Sequence, residues 1–156
     1  MNLSQLITEL KAKEQFTKFM QENPDAYLTA VFVVLDDSGK DIYQLDFFIA
    51  SKQKIAIATY PFEEIIIQPD EIKESGRLDI NIVVDINQLR AKVDEIKSME
   101  NLEKVKVTKI IGILKEDIWN LTCLSSTLDI IKISLDKSGE VIKCQKAGLL
   151  DFVVKK

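Results

Sequence analysis

Hydrophobic positions along this chain follow two rhythms, and the rhythms change in the same order twice. Leu3, Leu6, Ile7 and Leu10 recur at helical spacing, and the pattern runs to Glu22. Asn23-Pro24 ends it, because proline lacks the amide that would continue a helix. From Tyr27 the period drops to two. Tyr27–Leu35, Asp41–Ala50, Lys54–Tyr60 and Glu64–Gln68 read as strands, and the alternation of Leu78–Val84 predicts a fifth. Asp36-Asp37-Ser38-Gly39 reads as a turn, since glycine accepts positive φ and the Asp and Ser side chains bond nearby backbone.

The second half repeats that order. Asn87 is placed to cap a helix running to about Glu100, with Ile86, Leu89, Val93, Ile96 and Met99 on one stripe. Strands are predicted at Val105–Leu114, Asp117–Ser125, Leu128–Leu135, Glu140–Lys146 and Leu149–Val154, with a turn at Asp136-Lys137-Ser138-Gly139. A shift of 76 residues lays Ile42-Tyr43-Gln44-Leu45 on Ile118-Trp119-Asn120-Leu121, and Ile55 and Ile57 on Ile131 and Ile133. The first strands match at a shift of 79, with Leu28-Thr29 over Val107-Thr108. The last match at 72, with Gly76-Arg77-Leu78-Asp79 over Gly148-Leu149-Leu150-Asp151. The expected fold class is therefore α+β, built from two repeats, residues 1–85 and 86–156. Each repeat is one helix packed on a four- or five-stranded antiparallel sheet, the two standing apart or packed as one domain. Tyr43, Leu45, Phe47 and Ile49, with Trp119, Leu121 and Cys123, form the predicted core. Ile55, Ile57, Ile131 and Ile133 extend it.

The first helix poses a question. Ala12, Phe16, Phe19 and Met20 fall nearly opposite the leucine stripe. Either a straight helix offers a second apolar face to a partner, or a break near Lys11–Lys13 turns both segments onto one core. On the first alternative Phe16, Phe19 and Met20 are the candidate interface.

Composition narrows the function classes. With 46% apolar and 29% charged residues, the 156-residue chain can bury a real core. Net charge is −4 with no basic block, which turns the expectation away from nucleic acid. The longest wholly apolar run, Ala30 to Leu35, falls far short of a bilayer span, and the start lacks a basic leader. The expected location is cytoplasmic, without membrane. Histidine is absent, which removes the commonest general base and transition-metal ligand. Cys123 and Cys144 make neither a zinc site nor a disulfide framework. In a meander one strand separates them, so they would stand about 9.5 Å apart, too far to bridge.

Candidate chemistry is correspondingly thin. Asp36, Asp37 and Asp41 lack the spacing of a calcium loop and read as a solvated hairpin tip. Adjacent Glu63 and Glu64 point to opposite sides of a strand and make a poor acid–base pair. No phosphate loop, metal set or cofactor motif is present, and the chain is expected not to be an enzyme. Tyr43 and Trp119, at matched positions, are the candidates for lining a ligand pocket between helix and sheet, although an aromatic there is more often core.

Trp119-Asn120-Leu121, followed by Ile131-Lys132-Ile133-Ser134-Leu135-Asp136-Lys137-Ser138-Gly139-Glu140-Val141, resembles the PepSY family of small helix-plus-sheet modules. The resemblance lies in a strand ending in Asp, two residues on from which Ser-Gly opens the next strand, with an aromatic on the preceding strand. It covers the last 70 residues or so, and the first half only through the internal repeat, where Tyr60-Pro61-Phe62-Glu63 replaces the Asp-Gly turn. It implies a non-catalytic regulatory or inhibitory module. The expectation is thus a protein-interaction module with a protein partner or a second copy. The alternative is a binder of a small apolar ligand between helix and sheet.

Overall fold

The structure, a computed structural model, describes residues 1–148. The long first helix is broken in two: α1 (Leu3–Lys11) and α2 (Glu14–Glu22) part at Ala12-Lys13. Lys13 is extended there, at φ −87° and ψ 135°. Asn2 and Gln5 close a capping box on α1, and Asn23 ends α2. The bend answers the question posed by the two apolar stripes. Leu3, Leu6 and Leu10 of α1 and Phe16 and Phe19 of α2 all enter one core. Phe16 and Phe19 are only 9% and 6% exposed, so they are not the free second face expected of a straight helix. Met20 alone of that trio stays partly exposed.

The strands are β1 (Tyr27–Asp36), β2 (Ile42–Ile49), β3 (Lys54–Thr59), β4 (Ile65–Ile67), β5 (Val107–Lys115), β6 (Ile118–Ser125), β7 (Asp129–Leu135) and β8 (Val141–Gly148). They form one antiparallel sheet in the order β4-β3-β2-β1-β5-β6-β7-β8. Four strands meander outward from the middle in one direction and four in the other. The seam is the antiparallel pair β1–β5, from Ala30 opposite Lys115 to Asp36 opposite Lys109. Helix α3 (Leu89–Met99) follows a 3-10 turn at Ile86–Gln88. Asp85, rather than the expected Asn87, supplies the capping side chain, and it caps the 3-10 turn; α3 itself starts from Gln88 without a side-chain cap. One Asp85 carboxylate oxygen also accepts from the Leu3 amide, so the starts of both helical segments meet on this side chain.

Both seam strands bulge where they pair with their hairpin partners, at Thr29 and at Thr108. These are the two residues that the shift of 79 superposes. The hairpins then diverge. β1 and β2 join through Asp36–Gly39, whereas β5 and β6 turn on Glu116-Asp117, both at positive φ. Tyr43 consequently lies opposite Val33, but Trp119 lies opposite Leu114 rather than Gly112, the residue that shift lays on Val33.

All three helices contribute to a single core on one side of the sheet, with Val31, Val33, Leu35, Leu45, Phe47, Leu114, Leu121 and Ile133 among its strand residues. Gly112 makes room there: a Cβ would stand 3.1 Å from Leu121 and Val33 and 3.2 Å from the Trp119 ring. Two expectations about this face need correcting. Ile55 and Ile57 are not core; the core face of β3 carries the fully buried Ala56 and Ala58. A slip of one residue exchanges the faces of a strand, and here the small residues lie toward the core while the isoleucines face out. Leu78–Val84 is not a strand either. Its Leu78 amide donates to the Leu28 carbonyl, Asp79 bends back on Asn81, and Ile80 and Val83 lie exposed. The predicted strand Leu149–Val154 lies outside the described residues.

Candidate functional site

An open apolar hollow lies between α2 and the beginning of β1. Helical spacing sets Phe16 and Met20 one turn apart, with Thr17 and Gln21 beside them. Ala26, Tyr27 and Leu28, with Phe47 of β2, Lys11 and Arg77, complete the lining. The groove encloses about 610 Å³. Its apolar wall is backed by a cluster of three phenylalanines. Phe16 packs on Phe47 at 5.4 Å between ring centres, and Phe19 lies 6.2 Å from both rings.

Arg77 is exposed, on a stretch of backbone fixed from either side. Its guanidinium carbon sits 4.5 Å from the centre of the Tyr27 ring. The Tyr27 hydroxyl donates to the Ser75 carbonyl oxygen, and its ring meets Phe48 edge-on. On either side of Arg77, the Thr29 hydroxyl donates to the Gly76 carbonyl (2.7 Å) and the Leu78 amide to the Leu28 carbonyl (2.9 Å). The bulge at Thr29 is what turns that hydroxyl toward the linker. Beyond Arg77 a second hollow of about 490 Å³ continues over Leu28, Leu78, Asp79 and Ile80.

The expected pocket residues behave differently. Trp119 is 2% exposed, its indole N–H donating to the Val84 carbonyl at 2.9 Å. The void beside it measures about 10 Å³, room for about one water. The linker closes over Trp119, and Gly112 lets the ring sink, so no ligand pocket exists at this position. Tyr43 is partly buried, edge-on to Tyr60 at 6.2 Å, with its hydroxyl donating to Asp41 at 3.3 Å. Burial, and then the Asp41 charge, raise its pKa. Of the three interface candidates, Phe16 and Met20 do line the groove, while Phe19 supports it from behind. Lys11, Tyr27 and Arg77 escaped the sequence reading. The only available signal was that Arg77 is one of two arginines in the chain.

The acidic hairpin tip is self-contained. Asp36 accepts from the Ser38 amide and pairs with Lys109, and these donors lower its pKa, the Ser38 amide most. Asp41 accepts from the Asp36 amide and pairs with Arg90. Among the described residues no group of three or more Cys, Asp or Glu side chains is placed to hold a metal ion. Both thiols are free, with β7 between them. Burial pushes the Cys123 thiol up to about 12, which leaves it protonated and unreactive.

Among the described residues no helix is long and apolar enough to cross a membrane. No family model and no curated protein sequence matches the chain. Among solved structures, the chain is similar in fold to a "putative lipoprotein" from Clostridium difficile 630, with a TM-score of 0.55 and 13% identity over 84% of this chain and 89% of that one.

Proposed function

We propose that this chain is a non-catalytic binding module that seats an apolar ligand in the groove between α2 and the sheet. The observation that carries the reading is the groove itself. An apolar wall of Phe16, Met20, Leu28 and Phe47 lines an open groove of about 610 Å³. The reading keeps the helix-over-sheet site expected of an apolar-ligand binder and moves it from Trp119 to α2. It also uses two of the three residues expected at an interface. The resemblance to PepSY modules, which implies a non-catalytic role, agrees with it.

The reading includes an internal duplication. Its support is the order of elements, with helix followed by a four-stranded meander in each half, and the matched bulges at Thr29 and Thr108.

Met20→Glu tests the site, because Met20 lines the groove and is only partly buried. Native mass spectrometry of the freshly purified protein, with Nile red titration, is expected to find an apolar guest in the parent chain. Dye affinity is expected to fall about tenfold or more in the variant, at an unchanged melting temperature. Equal affinity in both proteins removes the site from α2.

A second reading rests on the other side of the sheet, which among the described residues no helix covers. Phe32, Val34, Ile57 and Ile111 are partly exposed there, and Ile42, Ile66 and Ile113 are exposed outright. Pairing of two copies through this face would make a protein-interaction module, and the same mass spectrum reads it as a dimer. Ile113→Lys at the middle of the face is then expected to return the monomer.

A further inference from the structure

Resting on the groove reading above, we propose that the ligand is a single-chain anion, a long-chain carboxylate. Its acyl chain lies along Phe16, Met20, Leu28 and Phe47, and its head group on Arg77. Charge is the first argument. The chain carries 25 acidic against 21 basic residues, yet no Asp or Glu lines this groove, and both of its charged lining residues are cations. Of the two arginines, Arg90 pairs with Asp41, whereas among the described residues Arg77 pairs with no carboxylate. An anion arriving at the groove displaces no existing ion pair.

Preorganisation is the second argument. Arg77 lies over a Tyr27 ring that is itself held through its hydroxyl, on a stretch of backbone bonded to Thr29 and Leu28. The backbone that carries Arg77 is fixed and the Tyr27 ring orients the guanidinium, whose planar fork suits a planar carboxylate.

The third argument separates a carboxylate from a peptide. An extended peptide would need free main-chain partners along the groove. Tyr27 and Leu28 already pair with Phe48 and Phe47, and the Leu28 carbonyl accepts from Leu78. What the groove still offers is an apolar wall and two positive charges, which is the complement of an acyl chain with an anionic end.

The test is calorimetric titration of the full chain with octanoate, decanoate and decanol, each below its micelle concentration. Decanoate is expected to bind about tenfold or more tightly than decanol and about two- to fourfold more tightly per methylene than octanoate. Arg77→Gln should bring decanoate down to the level of decanol, added salt should weaken only the carboxylate, and Met20→Glu should abolish both. Decanol binding as tightly as decanoate overturns the proposal while leaving the groove reading intact. Binding of neither overturns both. Binding indifferent to Arg77→Gln and Met20→Glu also overturns both, as does association with anionic phospholipid vesicles but not with monomeric decanoate.

Discussion

Asp46 is a largely desolvated carboxyl on the side of the sheet away from the helical core. It sits on β2 opposite Ala30 and Ile57, and accepts from Gln44 Nε2 at 2.9 Å. Burial raises its pKa above 3.8, against the opposing pull of the Gln44 hydrogen bond and the Lys115 charge. A carboxyl whose folded pKa is raised binds its proton more tightly in the native state. Its ionisation therefore subtracts stability above the folded pKa, and the penalty disappears as pH falls toward 3.8 and below. Asp46→Asn, which keeps an acceptor for Gln44, should raise the melting temperature at pH 7 by on the order of 2–4 °C. The gain should fade when the melt is repeated below pH 4; a gain independent of pH would refute this account. The turn carboxylates Asp36, Asp79 and Asp136 act in the opposite sense. Their pKa values are lowered by backbone and side-chain donors, so what they add is present above 3.8 and lost on acidification below it.

At the scale of elements, the break between α1 and α2 is built into the backbone, and proline can report on it. Lys13 has the extended geometry that a residue before proline prefers, and Glu14 is the first residue of α2, where a missing amide costs nothing. Glu14→Pro should be tolerated, or stabilise by up to about 1 kcal/mol. The same change at Glu9, inside α1, should cost about 3 kcal/mol or more. Equal losses at both positions in urea melts would argue for one continuous helix.

The elements also mark how far the sequence could be read. Strand limits came within a residue or two because alternation and turn residues agree, as at Asp36–Gly39 and Asp136–Gly139. The β3 face was misread because Lys54–Thr59 alternates isoleucine with alanine, and both are apolar. Only the whole packing decides which set points inward. Leu78–Val84 alternates as a strand should, but its amides are engaged by Leu28 and by side chains instead of a neighbouring strand. In the groove, Phe16 and Met20 were visible as an apolar pair one helical turn apart. Arg77 was not, since its importance comes from a long-range hydrogen-bonded linker, and local sequence carries no trace of that.

At the scale of the molecule, the two halves share one sheet and one buried core. Melting followed by Trp119 fluorescence, which reports on the second half, should coincide with melting followed by far-ultraviolet dichroism of the whole chain. Two separated transitions would mean that the halves hold together independently, as residues 1–85 and 86–156 would if they were autonomous domains.

The seam between β1 and β5 has a consequence for how the chain comes off the ribosome. Val33 finds its neighbour Gly112 only after roughly 80 further residues have been made, which at about 5–20 residues per second is a wait of roughly 4–16 s. Throughout that interval the run from Ala30 to Leu35 can pair on the β2 side only, leaving its other edge open to any strand nearby. The strand that becomes the middle of the finished sheet is thus, for most of synthesis, the nascent chain's most vulnerable margin and the natural place for a chaperone to hold.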